Sequence, residues 1–504
     1  QRLASWSGVI AESPVAHQRI ERDWPEHSAL SEGVWIKFRT TKEGIHRIEY
    51  SDLTESGISP EDYNFSGIHV YGGGGQQLPF LNDVERPLDL PLLPVKTSGE
   101  SDGVFNQGDV IYFHASGVNS WNLNESNGWW SHSLNPWSDY AYYFVRLDGE
   151  PNLEGSRIVD ADPIQVPVDE TFDKHLARRF HEIETTNLAK SGREFYNEHF
   201  TNLGSQIFNM YFNIPNLVGD TGYVESRIAG RTIGNTSDYT MTCGGESYTT
   251  SDLALTENSL LLAQKRTLPL TLPLDGDGIG VELSYIPGNE EAEGWVDYVR
   301  VQAYQELKFN GSQFHINGTH DLSEIDVAAY NLEDAESVDA VWDVTEHLNP
   351  RICDIEDQSG DVSWDALADT TRRFVAFKYS SAFEVESMGN VQNSDIHSLE
   401  DIDLVILTSL ALDSAANRLA TLHANEGMTV AVVNQREVWN SFSSGSPDPT
   451  ALKMLMLMLM DKAESPEEEP KHLLLMGDGS YFNRNLDPDG INLLTFQSSN
   501  SEST

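Results

Sequence analysis

Met476-Gly-Asp-Gly-Ser-Tyr sets a carboxylate, Asp478, two residues before a hydroxyl, Ser480, in a glycine-flanked turn. The turn follows the apolar run Lys471-His-Leu-Leu-Leu-Met, which reads as a buried strand. Open α/β sheets bind ligands beyond the carboxyl ends of their strands. Asp478 and Ser480 are therefore candidates for a substrate pocket or for the loop that shapes one. Ser480 makes a poor nucleophile, because G-x-S-x-G is absent and no orienting partner can be named.

Two further acidic turns, Asp275-Gly-Asp-Gly and Asp487-Pro-Asp-Gly, pair carboxylates at Asp275 and Asp277 and at Asp487 and Asp489. Close carboxylates of this kind could ligate a structural Ca²⁺, but neither turn carries the distal Glu of an EF-hand. Turn chemistry explains both more simply. No HExxH occurs and the His residues are scattered, so no zinc site and no required cofactor is expected. Tyr71-Gly-Gly-Gly-Gly-Gln lacks the Gly-Lys-Ser/Thr ending of a phosphate cradle and reads as a flexible β-turn. Cys243 and Cys353 are the only cysteines. They sit in no CxxC and beside no His, and sequence leaves a single bridge and two buried thiols equally open.

The elements that must carry these residues fall into two kinds. From Val34 to Arg373-Phe-Val-Ala-Phe-Lys, short runs rich in β-branched and aromatic residues alternate with Gly, Asn, Asp and Pro, as in Trp35-Ile-Lys-Phe-Arg, Asp109-Val-Ile-Tyr-Phe-His and Gln206-Ile-Phe-Asn-Met-Tyr-Phe. This is the signature of β-sandwich or jelly-roll domains. A short helix is predicted around Asp173–Thr186. After Asp401 the pattern changes. Asp403-Leu-Val-Ile-Leu-Thr, Met428-Thr-Val-Ala-Val-Val and the run at Lys471 read as strands. Between them lie an amphipathic stretch through Leu412, Ala416 and Leu419, stopped by Gly427, and an apolar helix capped by Asp448-Pro449. The order β-α-β-α-β with continuous apolar strands implies a parallel sheet covered by helices. The Met/Leu helix is too short to span a bilayer and reads as buried between the sheet and a neighbouring domain. The chain divides into a lead-in at 1–28, a β domain at 29–150, a β-sandwich or jelly-roll domain at 151–395 and an incomplete α/β domain at 396–504.

With 79 Asp and Glu against 32 Lys and Arg, the net charge is −47, which disfavours nucleic acid and anionic lipid on the bulk surface. No stretch reaches the about 18 apolar residues of a membrane span. The start at Gln1 fits a mature terminus after signal removal.

Several segments together resemble the gingipain-like cysteine peptidases, and within them the PorU-type sortases of type IX secretion. They include Gly108-Asp-Val-Ile-Tyr-Phe-His, His132-Ser-Leu-Asn-Pro-Trp-Ser-Asp, Ser191-Gly-Arg-Glu-Phe-Tyr, Val341-Trp-Asp-Val-Thr and Asn393 to His397. At the carboxy-terminal end, Asp403-Leu-Val-Ile-Leu-Thr, Phe442-Ser-Ser-Gly, Leu473-Leu-Leu-Met-Gly-Asp-Gly-Ser-Tyr and Phe496-Gln-Ser-Ser-Asn-Ser are similar to the start of the caspase-like peptidase domain. The resemblance implies a Cys nucleophile activated by a His. It also implies removal of the carboxy-terminal secretion signal of cargo and attachment of cargo to an anionic lipopolysaccharide linker at the cell surface. The outer-membrane barrel PorV, the cargo carboxy-terminal domains and the lipopolysaccharide are the implied partners. Neither Cys243 nor Cys353 matches the nucleophile motif, so no catalytic residue is assigned here; the His and Cys are expected downstream of Thr504. A non-enzymatic surface scaffold or adhesin and a plain gingipain-like endopeptidase are the rival readings.

Overall fold

The computed structural model describes residues 22–497 apart from 125, 220, 258, 260, 275 and 319–324. Most of the lead-in and Asp275 lie outside the described residues. The chain is mostly β, in stacked sheets, followed by a small α/β segment.

Alternating burial along Trp35–Thr40 and Gly44–Glu49 turns one face of each strand inward. These strands nucleate two sheets. Trp35–Thr40 lies between Ala141–Arg146 and Glu386–Asn390, and Gly44–Glu49 lies between Val110–Ala115 and Phe383–Glu384. Ile36, Phe38, Ile48, Phe65, Phe113 and Val145 fill the space between them. The unit that opens the chain is thus completed by strands made after residue 380.

Between those halves sit two further sandwiches, one inside the other. The outer one pairs Gln313–Asn317, Arg373–Phe377, Ala340–Asp343 and Arg351–Ile352 in one sheet. Glu170–Phe172, Val327–Leu332 and Asp361–Leu367 form its other sheet. Its core holds Phe314, Tyr330, Trp364 and Phe374. The inner one runs from Lys174 to Glu306. The long strand Glu293–Glu306 pairs with Lys174–Glu182 and with Gly222–Arg231, and the second sheet packs Tyr239, Met241, Leu283 and Tyr285 against Val224, Ile228 and Val301. The inner sandwich enters and leaves at one point, where the Leu307 amide donates to the Asp173 carbonyl at 2.7 Å.

The helix predicted around Asp173–Thr186 is instead the strand Lys174–Glu182. Lys, Leu, Ala, Arg and Glu favour helix locally, but nine consecutive backbone pairings with Glu293–Glu306 outweigh propensities worth only tenths of a kcal/mol per residue. The glycine run is also different from the flexible turn expected. Gly72, Gly74 and Gly75 are buried, and a Cβ on Gly74 would stand 1.9 Å from Ser116 Oγ. Backbone passes here too closely for any side chain.

The closing segment matches the pattern read from sequence. Leu404–Thr408 is central and parallel to both Val430–Asn434 and His472–Leu475. Helix Asp413–Asn425 is followed by Gly427 at φ +94°, and helix Pro449–Lys462 begins at its Asp448 cap. A helix not foreseen, Gln435–Phe442, starts with the capping pair Asn434 and Glu437. Pro449–Lys462 buries Ala451, Met454, Leu455, Met458 and Leu459 in a cluster shared with Trp137 of the first unit. Among the described residues, no helix is long and apolar enough to cross a membrane.

Candidate active site region at the carboxyl edge of the parallel sheet

The parallel strands end at Thr408, Asn434 and Leu475, and the chain after the third strand folds back across these ends. Gln435 clips it in place. Its Nε2 donates to Pro488 O (3.0 Å) and Asn492 O (3.1 Å), and its Oε1 accepts from Leu494 N (3.3 Å). The Ala411 amide donates to Asp489 O at 3.1 Å. Ser409, directly after the central strand, is buried, and its hydroxyl has no hydrogen-bond partner among the described residues.

A cleft of about 650 Å³ opens between this edge and the first β unit, lined among others by Lys37, Tyr142, Arg436, Asn440, Asp487 and Asp489. Lys37 comes from the strand Trp35–Thr40. Its Nζ donates to Asn440 Oδ1 (2.9 Å) and Gly445 O (3.2 Å) and lies 4.5 Å from the Tyr142 ring centroid. Burial, reinforced by the Arg436 guanidinium, pulls the Lys37 pKa down to about 7. The amine is therefore easily deprotonated, yet two oxygens and an aromatic face hold it, so it joins the β frame to the α/β segment.

Of the residues singled out in the sequence, Asp487 and Asp489 line this cleft and Asp478 and Ser480 do not. Asp489 forms an ion pair with Arg436, and Asp487 Oδ1 accepts from the Asp489 amide at 3.1 Å. Asp487 is thus engaged within its own turn and Asp489 with the helix Gln435–Phe442. Asp478 pairs through its backbone with Ile491 (2.9 Å) and Leu493 (2.8 Å), and its Oδ1 accepts from Gly479 N (2.9 Å). Ser480 Oγ accepts from the Phe482 amide and donates to the Phe482 carbonyl, both at 3.0 Å. This turn presses Phe482 edge-on against Phe195 at 5.5 Å, from the Ser191-Gly-Arg-Glu-Phe-Tyr loop of the inner sandwich. Asp277 lies in an exposed turn.

Neither thiol suits nucleophilic chemistry. Cys243 lies in the inner core and Cys353 in the outer, unbonded and buried. Burial pushes the Cys243 pKa up to about 11 and that of Cys353 higher still, so neither supplies thiolate at neutral pH.

Sequence reading missed one cluster of donors. Glu182, Glu184 and Asp297 bring carboxylate oxygens within 4.8 Å of one another, and a cation could take one oxygen from each. His132 Nε2 already meets Glu182 at 2.6 Å and Arg227 Nε meets Asp297 at 3.2 Å. Burial, then the Glu182 charge, pushes both Glu184 and Asp297 up, Asp297 to about 8. The cluster thus holds protons at neutral pH without a metal. Glu182 closes its strand, Glu184 lies beyond the strand's end and Asp297 comes from the strand Glu293–Glu306, so the sequence held no signal that joins the three.

Residues 397–503 match the family model described as peptidase family C25. The crystal structure of dimeric latent PorU from Porphyromonas gingivalis superposes with a TM-score of 0.78 at 26% identity, covering 91% of this chain and 43% of that one. This chain therefore spans under half the length of that protein. A CBM35 from Cellvibrio japonicus (13% identity, 26% of this chain, 96% of that chain, TM-score 0.18) and a CBM6 from Zobellia galactanivorans (10%, 25%, 98%, 0.16) also align. No curated protein matched. The chain is thus similar to PorU in its β framework along nearly its whole length, and it closes in a parallel-sheet segment that matches the C25 peptidase family.

Proposed function

We propose that this chain forms the β frame and the first part of the catalytic sheet of a cell-surface cysteine peptidase of sortase type. In this reading a Cys–His pair supplied by polypeptide after Thr504 cleaves the carboxy-terminal secretion signal from type IX cargo. An amine of an anionic lipopolysaccharide linker then takes the acyl group from the enzyme thioester. PorV holds the enzyme at the outer face of the outer membrane, and these residues alone are inactive.

The observation that carries the reading is the outer strand of the parallel sheet. His472–Leu475 is exposed along its length, with Leu473, Leu474 and Leu475 at 40%, 36% and 44% exposure. Apolar strands of parallel sheets are normally covered on both faces, so this edge fits further strands of the peptidase domain. The C25 match and the PorU likeness support the chemistry, and the raised thiol pKa values argue against Cys243 or Cys353 as its nucleophile.

The test compares residues 1–504 with the longer natural polypeptide on a peptide bearing a type IX secretion signal, with and without a small amine. Mass spectrometry should show cleavage and amine transfer only with the longer protein, and both should vanish on alkylation of its reactive thiol. Cleavage by residues 1–504 alone, or activity insensitive to alkylation, would overturn the proposal.

A further inference from the structure

A second cavity, of about 500 Å³, lies where the first β unit and both sandwiches meet, far in sequence from the parallel sheet. Its size is that of a small-ligand site, and junctions between domains are where such sites concentrate. Its charge runs against that of the molecule. In a chain of net charge −47, the charged residues among those described at its wall are three arginines, Arg178, Arg179 and Arg373, and one carboxylate, Glu43. Glu43 is committed to Arg373 in an ion pair. Arg178 and Arg179 have no acidic partner among the described residues at the wall.

Arg178 is the most constrained of these groups. Its Nη2 donates to Asn317 Oδ1, while its Nε and Nη1 are buried without any hydrogen-bond partner among the described residues. Its guanidinium stands 4.3 Å from the Trp130 ring centroid and 5.3 Å from that of Trp121, on the hairpin that forms one wall. Burial, with the nearby Arg373, pulls its pKa down to about 9. Unpaired buried N–H groups on a cation cost free energy that an incoming anion recovers. Across the same cavity, Asn119 Oδ1 is a buried acceptor without a partner among the described residues. His315, at the wall, is driven towards its neutral form by burial and adds no charge.

We propose that this three-way cavity binds a small oxyanionic ligand, carrying a carboxylate or a phosphate, through the guanidinium groups of Arg178 and Arg179. The Trp121–Trp130 wall offers an apolar face for the body of the ligand, and Asn119 accepts from a hydroxyl on it. The proposal stands apart from the peptidase reading, since it uses no residue of the parallel sheet.

The chain is titrated by calorimetry at low ionic strength with glucuronate, inorganic phosphate and glucose. Saturable binding of glucuronate or of phosphate, but not of the neutral sugar, is expected, and whichever anion binds names the ligand class. Arg178→Gln and Arg179→Gln should each weaken that binding about tenfold or more. Asn119→Asp, which sets a negative charge at the wall, should do the same. Arg179 is exposed, so its variant separates loss of binding from loss of fold, checked by an unchanged unfolding temperature. Absence of saturable binding of both anions up to about 10 mM, equal binding of glucose, or binding unaltered in Arg179→Gln and Asn119→Asp would overturn it.

Discussion

The carboxylate of Asp448 accepts from the Leu78 amide at 2.8 Å and from the Thr450 amide at 2.7 Å. One side chain therefore caps the apolar helix Pro449–Lys462 and ties it to the first β unit. Arg484 makes a parallel tie from the last loop, its Nε 2.9 Å from Asp139 Oδ1. Both link segments hundreds of residues apart, so the α/β segment leans on the β frame at defined polar points as well as through the Trp137 cluster.

Asp448→Ala should lower stability by roughly 2–4 kcal/mol, combining a lost helix cap with a buried amide left unpaired. Burial raises the Asp448 pKa to about 6. The folded protein thus keeps a proton that the unfolded chain releases near pH 4, and stability falls as pH rises from about 4 to 6. Asp448→Asn should remove that slope. Chemical denaturation across this range reads both effects.

The Glu182, Glu184 and Asp297 cluster should produce a second decline at higher pH. Its raised carboxyls hold protons in the folded state that the unfolded chain has lost, so stability decreases as pH climbs from about 4 through 8. Glu184→Gln should flatten the curve between about pH 6 and 8. A slope unchanged in that variant would show that the cluster is not its source.

Lys37 acts with the opposite sign. Its folded pKa near 7 lies below its ordinary value of 10.5. Between these limits the unfolded chain binds the extra proton, and stability rises with pH. Lys37→Met should abolish the rise. It should also loosen the contact with Asn440 and Gly445, seen as faster amide exchange at the end of the helix Gln435–Phe442.

Gly74→Ala should cost roughly 2–5 kcal/mol, because its Cβ would collide with the buried Ser116 and its φ is +88°. Gly57→Ala, at φ +76° with nothing within 4 Å, carries only the backbone cost of about 1–2 kcal/mol. Thermal unfolding of the pair separates crowding from conformational strain.

Local chemistry made the α/β segment legible. Three continuous apolar runs became parallel strands, and Asp448-Pro449 and Gly427 marked helix ends where the structure has them. Strand periodicity likewise revealed Trp35–Thr40 and Val110–Ala115. Long-range pairing hid the rest. Nothing local at Phe383–Asn390 shows that it completes sheets begun at Trp35 and Gly44. The helix-favouring residues from Lys174 to Glu182 conceal a strand set by its partner. Asp478 and Ser480 stood out for their glycines, yet those glycines serve a turn. The cavity at Arg178 and the carboxyls around Asp297 gather residues from separate strands, and no spacing in the chain announces either.

The nesting of one sandwich in another, and of both within the first unit, sets an order of assembly during synthesis. Domains usually mature from the amino terminus as they leave the ribosome. Here the innermost module, Lys174–Glu306, has all its strands first. The one around it waits for Phe377 to emerge, and the unit that begins at Trp35 waits for Asn390. The opening strands meet Ala141–Arg146 and Val110–Ala115 early, yet each keeps its other edge open until Phe383–Asn390 emerges, after the interior of the molecule is already built.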